Sequence, residues 1–270
     1  MTNINDLIER ILSVETKGFL KIIGDAADAA GERVFLVGGT VRDLFLEKEN
    51  ADIDVAVEGD AIKFSGKINK KIPGKLTVYK KFGTATLLVK GSETLSGRLF
   101  PDDKVRIDLA GTRKERYASP AAMPEVRPGT IREDLARRDF TVNAIAVSMN
   151  AADRGNVLDL FDGAEDIKNG RIRALHDKSF FDDPTRIFRA ARFEGRLLSF
   201  RIEERTEALI RQAILAGMLA RTERRRIREE LGLIAKENSA KTILSRLHEL
   251  GAGAYLSAGL TDPLPDKLEG

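Results

Sequence analysis

Cysteine is absent from the sequence, and histidine occurs only twice, at His176 and His248. Without cysteine the chain can form neither a disulfide bond nor a thiolate zinc site. With only two histidines, we expect neither a histidine-based catalytic dyad nor a histidine-rich metal site. Any catalytic chemistry must therefore come from carboxylates, arginines and a hard metal ion.

A long apolar run is also missing. No segment reaches the ~20 apolar residues that a membrane-spanning helix needs, and the acid-containing N-terminus lacks the pattern of a signal peptide. We therefore expect a cytoplasmic protein that does not associate with a membrane. With 270 residues, of which 42% are hydrophobic and 32% charged, the chain has a globular composition and a length typical of about two domains.

The net charge is only +3, but arginines are concentrated between Arg186 and Arg228. Such a basic stripe can meet phosphate groups. The alternative is a solvated helix face on which acids and bases pair at i,i+4 spacing.

Residues 34–57 carry the most informative pattern, VFLVGGTVRDLFLEKENADIDVAV. It predicts a short buried strand, two glycines, an amphipathic helix and a second strand. Gly38 and Gly39 let backbone N–H groups approach a ligand closely, and the first turn of a helix has unpaired N–H donors. This turn can therefore hold a phosphate, and Arg42 can add a charge-assisted fork.

Three aspartates are candidate metal ligands. Asp52 and Asp54 lie two residues apart on the second predicted strand, so their side chains point to the same face. Asp108 lies in a further strand-like run over residues 105–109. A third carboxylate on an adjacent strand would complete a site for two Mg²⁺ ions about 3.5–4 Å apart. The alternative for Asp108 is a strand end or a turn cap.

The pattern between these motifs predicts the remaining elements of the first half. Helical spacing over residues 5–29 and 60–71 predicts two helices, and residues 76–79 and 84–89 read as strands. Residues 91–103 read as a polar hairpin connection. Residues 111–130 contain three prolines and two glycines, which predicts an irregular loop, and a loop of this length is usually functional.

Two adjacent charges, Arg138 and Asp139, precede an apolar segment that we expect to be buried. Buried charges need partners, so these two residues should pair with each other, with neighbours or with a polar ligand. A purely structural ion pair is the alternative.

Turn signatures predict a boundary near residues 150–175, and from Asp182 the chain reads as helical almost to its end. Asp182, Asp183 and Pro184 form a helix-start signal. Asp183 and Arg186, at i,i+3, either form a salt bridge or present one acceptor and one donor to a ligand edge. A stripe of arginines covers one third of the following helix circumference: Arg186, Arg189, Arg192 and Arg196.

Five motifs, in order, resemble those of the class II tRNA nucleotidyltransferases and of the bacterial poly(A) polymerases that share their head domain. The motifs are GGTVRD with DID, RRDFTVNA, DLFDGAEDIKNGRIRAL, DDPTRIFRAARF and ERRRIREEL. The resemblance runs from about residue 30 to residue 235. It implies an α+β fold, with a head of residues 1–150 built on a small mixed or antiparallel sheet flanked by helices. A linker over 151–180 and an all-helical neck and partial body over 181–270 would follow.

The resemblance also implies a role for each candidate residue. Asp52 and Asp54 would bind the Mg²⁺ ions, and Asp108 would be the third carboxylate, acting on the primer 3′-hydroxyl. Gly39 and Arg42, with Gly38 nearby, would hold the triphosphate. The incoming nucleotide would meet Arg138 and Asp139 at its ribose, Asp183 and Arg186 at its base edge, and Arg189 and Arg192 around the pocket.

The activity implied is addition of CMP or AMP from CTP or ATP to the 3′ end of tRNA, with a loop over 111–129 that argues against a CC-only enzyme. The alternatives are a poly(A) polymerase acting on other RNA, a small-molecule nucleotidyltransferase and an inactive RNA-binding module. The sequence departs from the family at Asp182, where many members have glutamate. It also stops soon after the neck, so we expect a fragment or a short member.

Overall fold

The computed structural model describes residues 2–48, 50–90 and 104–257. The chain divides into two compact units. The first consists of Met1–Glu115 with Val126–Lys168, and the second of Arg116–Glu125 with Asn169–Gly270. The predicted polar connection over 91–103 lies outside the described residues, and the predicted domain limits at 150 and 180 stay predictions.

Strands and helices are numbered separately in chain order. The strands are β1 (Arg33–Val37), β2 (Asp52–Glu58), β3 (Lys75–Tyr79), β4 (Thr84–Lys90), β5 (Lys104–Gly111), β6 (Arg113–Arg116), β7 (Glu125–Pro128), β8 (Ile145–Ser148), β9 (Val157–Asp159), β10 (Arg171–Ile172) and β11 (Arg201–Ile202). The helices are α1 (Asn5–Ile11), α2 (Val14–Ala30), α3 (Gly38–Phe45), α4 (Ala61–Lys71), α5 (Ile131–Ala136), α6 (Gly163–Lys168), α7 (Ser179–Asp182), α8 (Arg186–Arg196), α9 (Glu204–Leu215), α10 (Met218–Arg221), α11 (Arg224–Ile234), α12 (Ala240–Leu250) and α13 (Ala254–Ser257).

The first unit is built on a sheet that, in the described residues, has seven strands in the order β3-β4-β5-β2-β1-β8-β9. Only the β2–β5 pair among these is parallel, and the other neighbours are antiparallel. Fully buried apolar side chains fill its core, among them Leu36, Ile53, Phe64, Leu87 and Ile107. The predicted α+β class with a mixed sheet is confirmed.

The predicted helix over residues 5–29 was wrong in its continuity. Ser13 has extended backbone angles, and its side chain accepts a hydrogen bond from the Thr16 N–H at 3.2 Å. A serine in this conformation caps a new helix because it satisfies an N–H that has no partner within the helix. The segment therefore forms α1 and α2 rather than one helix.

The predicted irregular loop over 111–130 was wrong in part. Strands β6 and β7 form a two-stranded sheet of their own. Pro128 is the last residue of β7, a place where the missing N–H of proline does little harm to a strand ladder. Helix α5 then begins with a capping box between Thr130 and Glu133.

The described residues 169–257 of the second unit are mainly helical and include the parallel two-residue strands β10 and β11. Its helix α8 begins at Arg186 after Thr185, so the predicted start at Asp182 was wrong by four residues. Asp182 instead ends the short helix α7, and Pro184 lies in the connection. Phe180, Ile187, Phe188, Phe200 and Leu247 are fully buried in this unit. Across the described ranges of both units, none of the helices has the length and apolarity to cross a membrane.

Candidate functional site

Strands β2 and β5 bring the candidate carboxylates together. Their parallel register places Asp54 beside Asp108 and Asp52 beside Arg106. Because side chains at i and i+2 share a face, all four side chains lie on one face of the sheet. The structure therefore assembles Asp52, Asp54 and Asp108 from two segments that are more than fifty residues apart.

The carboxylate of Asp54 carries the strongest electrostatic signal in this group. Burial, the neighbouring charge of Asp108 and, to a lesser extent, that of Asp52 raise its pKa to about 6. Arg138 and the Gly39 N–H act in the opposite direction but do not cancel the effect. The raised pKa of Asp54 therefore reflects burial first and the charges of the neighbouring carboxylates second.

Asp108 has a partner on each carboxylate oxygen. The hydroxyl of Thr86 donates to Oδ1 at 2.5 Å. Nε of Arg106 lies 2.8 Å from Oδ2. Asp108 is therefore held inside the sheet rather than capping a turn.

Helix α3 begins directly beside Asp54. Gly38 has a φ of +63°, and a Cβ there would lie 3.2 Å from both an Asp54 oxygen and Nη1 of Arg138. Glycine is therefore favoured at this position, both by the backbone conformation and by the limited space. The Thr40 hydroxyl accepts the Asp54 N–H at 2.8 Å and donates to the Asp52 carbonyl at 3.1 Å, so it ties the helix to β2.

Arg42 lies on α3, and its guanidinium group is already hydrogen-bonded within the protein. Its side chain is buried, with 4% of its area exposed. Nε and Nη2 donate to Asp43 Oδ1 at 2.9 and 2.8 Å, and Nη1 donates to the side-chain oxygen of Asn143 at 3.0 Å. Its predicted contact with a triphosphate stays a prediction, and these bonds show that Arg42 already supports α3.

Arg138 and Asp139 find separate partners among their neighbours. Nε and Nη2 of Arg138 donate to Asp134 Oδ2 at 3.2 and 2.9 Å, and Nη1 donates to the Asn143 carbonyl at 3.1 Å. Asp139 Oδ1 accepts the Phe140 N–H at 2.8 Å and the Asn143 side-chain amide at 3.2 Å. Asn143 thus connects Arg42, Arg138 and Asp139.

The second unit holds the other predicted residues. Asp183 Oδ1 accepts from the Thr185 N–H and hydroxyl at 3.0 and 2.6 Å, and from Arg226 Nη2 at 2.7 Å. Arg186, which is 5% exposed, donates to the Ser179 hydroxyl at 2.7 Å. The ion pair observed at Asp183 is therefore with Arg226 on α11.

Two further arginines of the stripe, Arg189 and Arg192, are paired with acids. Arg189 and Arg192 lie 3.7 and 3.6 Å from the carboxylate of Glu230, and Arg192 also lies 3.7 Å from Glu237. These pairs join α8 to Glu230 on α11 and to Glu237, and the side chains of Arg192 and Glu230 are nearly buried, so they differ from the solvated i,i+4 face of the alternative. Their predicted place around a nucleotide stays a prediction.

The donor chemistry of the first unit suits a hard divalent cation. Carboxylate oxygens are the protein ligands that Mg²⁺ prefers, and the burial and neighbouring carboxylate charges that raise the pKa of Asp54 are both offset by a bound cation. Within the described residues, no group of three or more Asp, Glu, His or Cys side chains is arranged as a ready-made metal site. The carboxylates have the right chemistry for a metal ion, but they are not arranged as a complete set of metal ligands.

Sequence reasoning missed several residues that orient the predicted ones, among them Thr86, Arg106, Asn143 and Arg226. Asn143 and Arg226 stood inside the quoted motifs, and that position was their only signal. Thr86 and Arg106 had no local signal, because their role depends on strand register.

The chain is similar to two curated relatives named A-adding tRNA nucleotidyltransferase. It is 40% identical to the one from Geobacter sulfurreducens, over 94% of this chain and 27% of that protein. It is 38% identical to the one from Halalkalibacterium halodurans, over 92% of this chain and 56% of that protein. The chain therefore spans about half the length, or less, of these relatives.

Solved structures of CCA-adding enzymes share the fold. An apo form matches with a TM-score of 0.84 and 40% identity, over 98% of this chain and 59% of that chain. A complex with ATP matches with 0.81 and 36%, over 98% and 58%. The Thermotoga maritima enzyme complexed with tRNA matches with 0.75 and 38%, over 98% and 57%.

A family model described as the poly A polymerase head domain matches residues 34–173. These are 140 of the 270 residues, just over half of the chain. The matched range contains helix α3, the three carboxylates and the segment of Arg138 and Asp139. On this match, the chain belongs to the family of the poly A polymerase head domain.

Proposed function

We propose that this protein transfers AMP from ATP to the 3′ end of tRNA. The observation that carries the proposal is the parallel register of Asp54 and Asp108 beside a helix that begins with two glycines. The relatives named A-adding, which match more than nine tenths of this chain, support the choice of ATP and tRNA. Because tRNA and ATP meet in the cytoplasm, the activity is placed there as part of the same proposal.

The reaction would be an in-line attack of the RNA 3′-hydroxyl on the α-phosphorus of ATP. A new O–P bond forms, the bond to pyrophosphate breaks, and the hydroxyl proton leaves to a nearby base. Asp52, Asp54 and Asp108 would hold two Mg²⁺ ions, which supply charge neutralisation of the phosphates and activation of the hydroxyl. Asp54 and Asp108 are backed by neighbouring strands, so they would not need to reorganise as the reaction proceeds.

The rest of the first unit would bind the nucleotide. The first N–H groups of α3 have no partner within the helix, which suits them to a phosphate, and Arg138 adds a guanidinium close to Gly38. Asn143 would keep Arg42, Arg138 and Asp139 in fixed positions through its three hydrogen bonds. The proposed role of Arg138 and Asp139 is contact with the ribose.

Base selection is proposed for Asp183 and Arg186. One supplies an acceptor and the other a donor, which is what the edge of an adenine or cytosine requires. Asp183 is oriented by Thr185 and Arg226, and Arg186 by Ser179. Buried side chains held in this way can discriminate between bases because a mismatched edge leaves them without a partner.

The second candidate is a CCA-adding enzyme, which would use CTP and then ATP. The similarity to solved CCA-adding structures supports it. An A-adding and a CCA-adding enzyme differ in whether CTP is used, so a test of nucleotide preference distinguishes them. A poly(A) polymerase remains a further alternative within the same family.

The test is incorporation of labelled ATP and CTP, separately and together, into tRNA transcripts that end before CCA, after C or after CC, and into oligo(A). We expect one AMP on the CC-ended tRNA, and a loss of at least about a hundredfold in the Asp54→Asn variant. Asp153→Asn, which removes a carboxylate paired with Arg33 elsewhere in the unit, is the matched control and should stay active.

Each other outcome selects a different conclusion. Addition of C and then A identifies a CCA-adding enzyme, and long A tails identify a poly(A) polymerase. Normal activity of Asp54→Asn, or no incorporation by a folded wild-type protein on any primer, would overturn the proposal.

A further inference from the structure

We propose that Thr86 and Arg106 are positioning residues that act in opposite directions on metal binding by Asp108. Thr86 orients the carboxylate for a metal, whereas Arg106 occupies it and must move away before a metal can bind. This inference rests on the proposed function, because it concerns the same carboxylates. It adds two positioning residues to a site for which the sequence predicted only the metal ligands.

Thr86 is built into the site. It is the direct cross-strand partner of Asp108 in the antiparallel β4–β5 pair, and only 8% of it is exposed. Its hydroxyl donates to Asp108 Oδ1 at 2.5 Å. A buried donor on one carboxylate oxygen fixes the orientation of the group, and partners of this kind around metal ligands change metal affinity roughly 10–100-fold.

Arg106 acts on the other oxygen. It lies two residues before Asp108 on the same strand, beside Asp52 of β2, and its Nε is 2.8 Å from Asp108 Oδ2. About half of its side-chain area, 51%, is exposed. The guanidinium can therefore move into solvent without disturbing the core.

The contacts of Asp108 bear directly on metal binding. Both oxygens of Asp108 are already bonded, one to a neutral hydroxyl and one to a cation. A neutral hydroxyl leaves the negative charge available, but a guanidinium at Oδ2 competes with a metal for the same oxygen. Metal entry and release of Arg106 are therefore one linked event.

Mg²⁺ titration of the purified chain, followed by calorimetry and by thermal unfolding, tests the two opposite effects. Thr86→Val keeps the shape but removes the donor, so the affinity for Mg²⁺ should fall about tenfold, and Thr86→Ser should restore most of it. Arg106→Gln should raise the affinity roughly two- to fivefold, the range expected from loss of an exposed ion pair. Arg33→Gln breaks a comparable pair with Asp153 on the same unit and should leave Mg²⁺ binding unchanged.

Removal of any nearby positive charge could also raise Mg²⁺ affinity, so displacement must be observed directly. The ¹⁵N–¹H signal of Arg106 Nε, assigned by its absence in Arg106→Lys, should shift on Mg²⁺ addition, while the Arg33 Nε signal stays in place. An unmoved Arg106 signal during saturation with Mg²⁺ would refute the displacement.

The outcomes separate this inference from the proposed function. A wild-type protein that binds no Mg²⁺ contradicts both. Mg²⁺ binding that is equal in wild type, Thr86→Val and Arg106→Gln contradicts the inference alone. Changes of affinity in the same direction for both variants also overturn it.

Discussion

Two largely buried aspartates in the first unit, Asp54 and Asp134, have opposite electrostatic surroundings. Burial and the charges of Asp108 and Asp52 raise the pKa of Asp54 to about 6. Burial acts on Asp134 in the same direction, but Arg138 and Arg137 outweigh it and lower the pKa of Asp134. The difference teaches that burial does not decide the charge state by itself: Asp134 has its counter-charges in the fold, whereas Asp54 is left short of them.

Removal of the Asp134 charge should have the largest effect on stability. Asp134→Asn leaves Arg137 and Arg138 beside a neutral side chain that is 3% exposed, so we expect a loss of about 3 kcal/mol in the free energy of unfolding. Urea denaturation measures it. Asp25→Asn, which removes an exposed partner of Lys21, should cost less than about 1 kcal/mol. Equal losses in Asp134→Asn and Asp25→Asn would show that the buried position of the Asp134 ion pairs adds nothing to stability.

Asp54→Asn should change stability with the opposite sign. Since the pKa of Asp54 rises from 3.8 to about 6 on folding, its ionised form destabilises the metal-free protein by up to about 3 kcal/mol at pH 7. The neutral amide should therefore stabilise the protein at pH 7 by about 1–3 kcal/mol.

The pH dependence follows from the same pKa. Between pH 3.8 and about 6 the folded state binds more protons at Asp54 than the unfolded state, so this contribution falls as pH rises. Asp134 behaves oppositely, because its lowered pKa gives stability that is lost in acid. Unfolding curves at pH 5 and pH 7 should therefore show a larger gain for Asp54→Asn at pH 7. A gain that is larger at pH 5 would show that Asp54 is not destabilised by its charge.

Bound Mg²⁺ should supply Asp54 with part of the counter-charge that Asp134 already has from Arg137 and Arg138. At about ten times its dissociation constant, the ion should stabilise the wild-type protein by about 1.4 kcal/mol. Asp54→Asn should respond much less, whereas Asp134→Asn, which keeps all three candidate carboxylates, should gain about as much free energy of unfolding as the wild type. Thermal unfolding in MgCl₂ and in KCl of matched ionic strength checks this. A response to both salts alike would point to screening rather than to a bound cation.

The smallest expected effect is the crowding of an added methyl group at Gly38, which lies next to both Asp54 and Arg138. Gly38→Ala places a methyl group 3.2 Å from Asp54 and Arg138 at a φ of +63°, and should cost about 1–2 kcal/mol. Gly31→Ala is the matched control, since its φ is +67° and no atom lies within 4 Å of the added carbon. The difference between the variants measures crowding alone, and identical losses would show that there is none.

Local patterns were sufficient to predict much of the site. The apolar run before Gly38, the alternation around Asp52 and Asp54, and the run around Asp108 each have a short-range signature that the strands β1, β2 and β5 confirm. The break at Ser13 was missed because the apolar spacing continues across it, and only the cap geometry shows the new helix start.

Contacts between distant segments could not be predicted. Thr86 and Asp108 are 22 residues apart, and nothing in either segment sets the register that joins them. The same holds for Arg226 and Asp183, which are 43 residues apart. Arg42 has the sequence signature of a ligand-binding arginine, but its burial depends on Asp43 and on Asn143, a residue far along the chain.

The course of the chain has a consequence for modular exchange between relatives. Residues Arg116–Glu125 belong to the second unit although the residues on both sides belong to the first, and the Ala121 N–H donates to the Phe181 carbonyl at 2.8 Å. A fragment cut at Lys168 would carry this segment without its partner. A chimera that exchanges the first unit and keeps both units intact therefore needs three junctions, at residues 115/116, 125/126 and 168/169. A single junction between two relatives cannot exchange this unit as a whole.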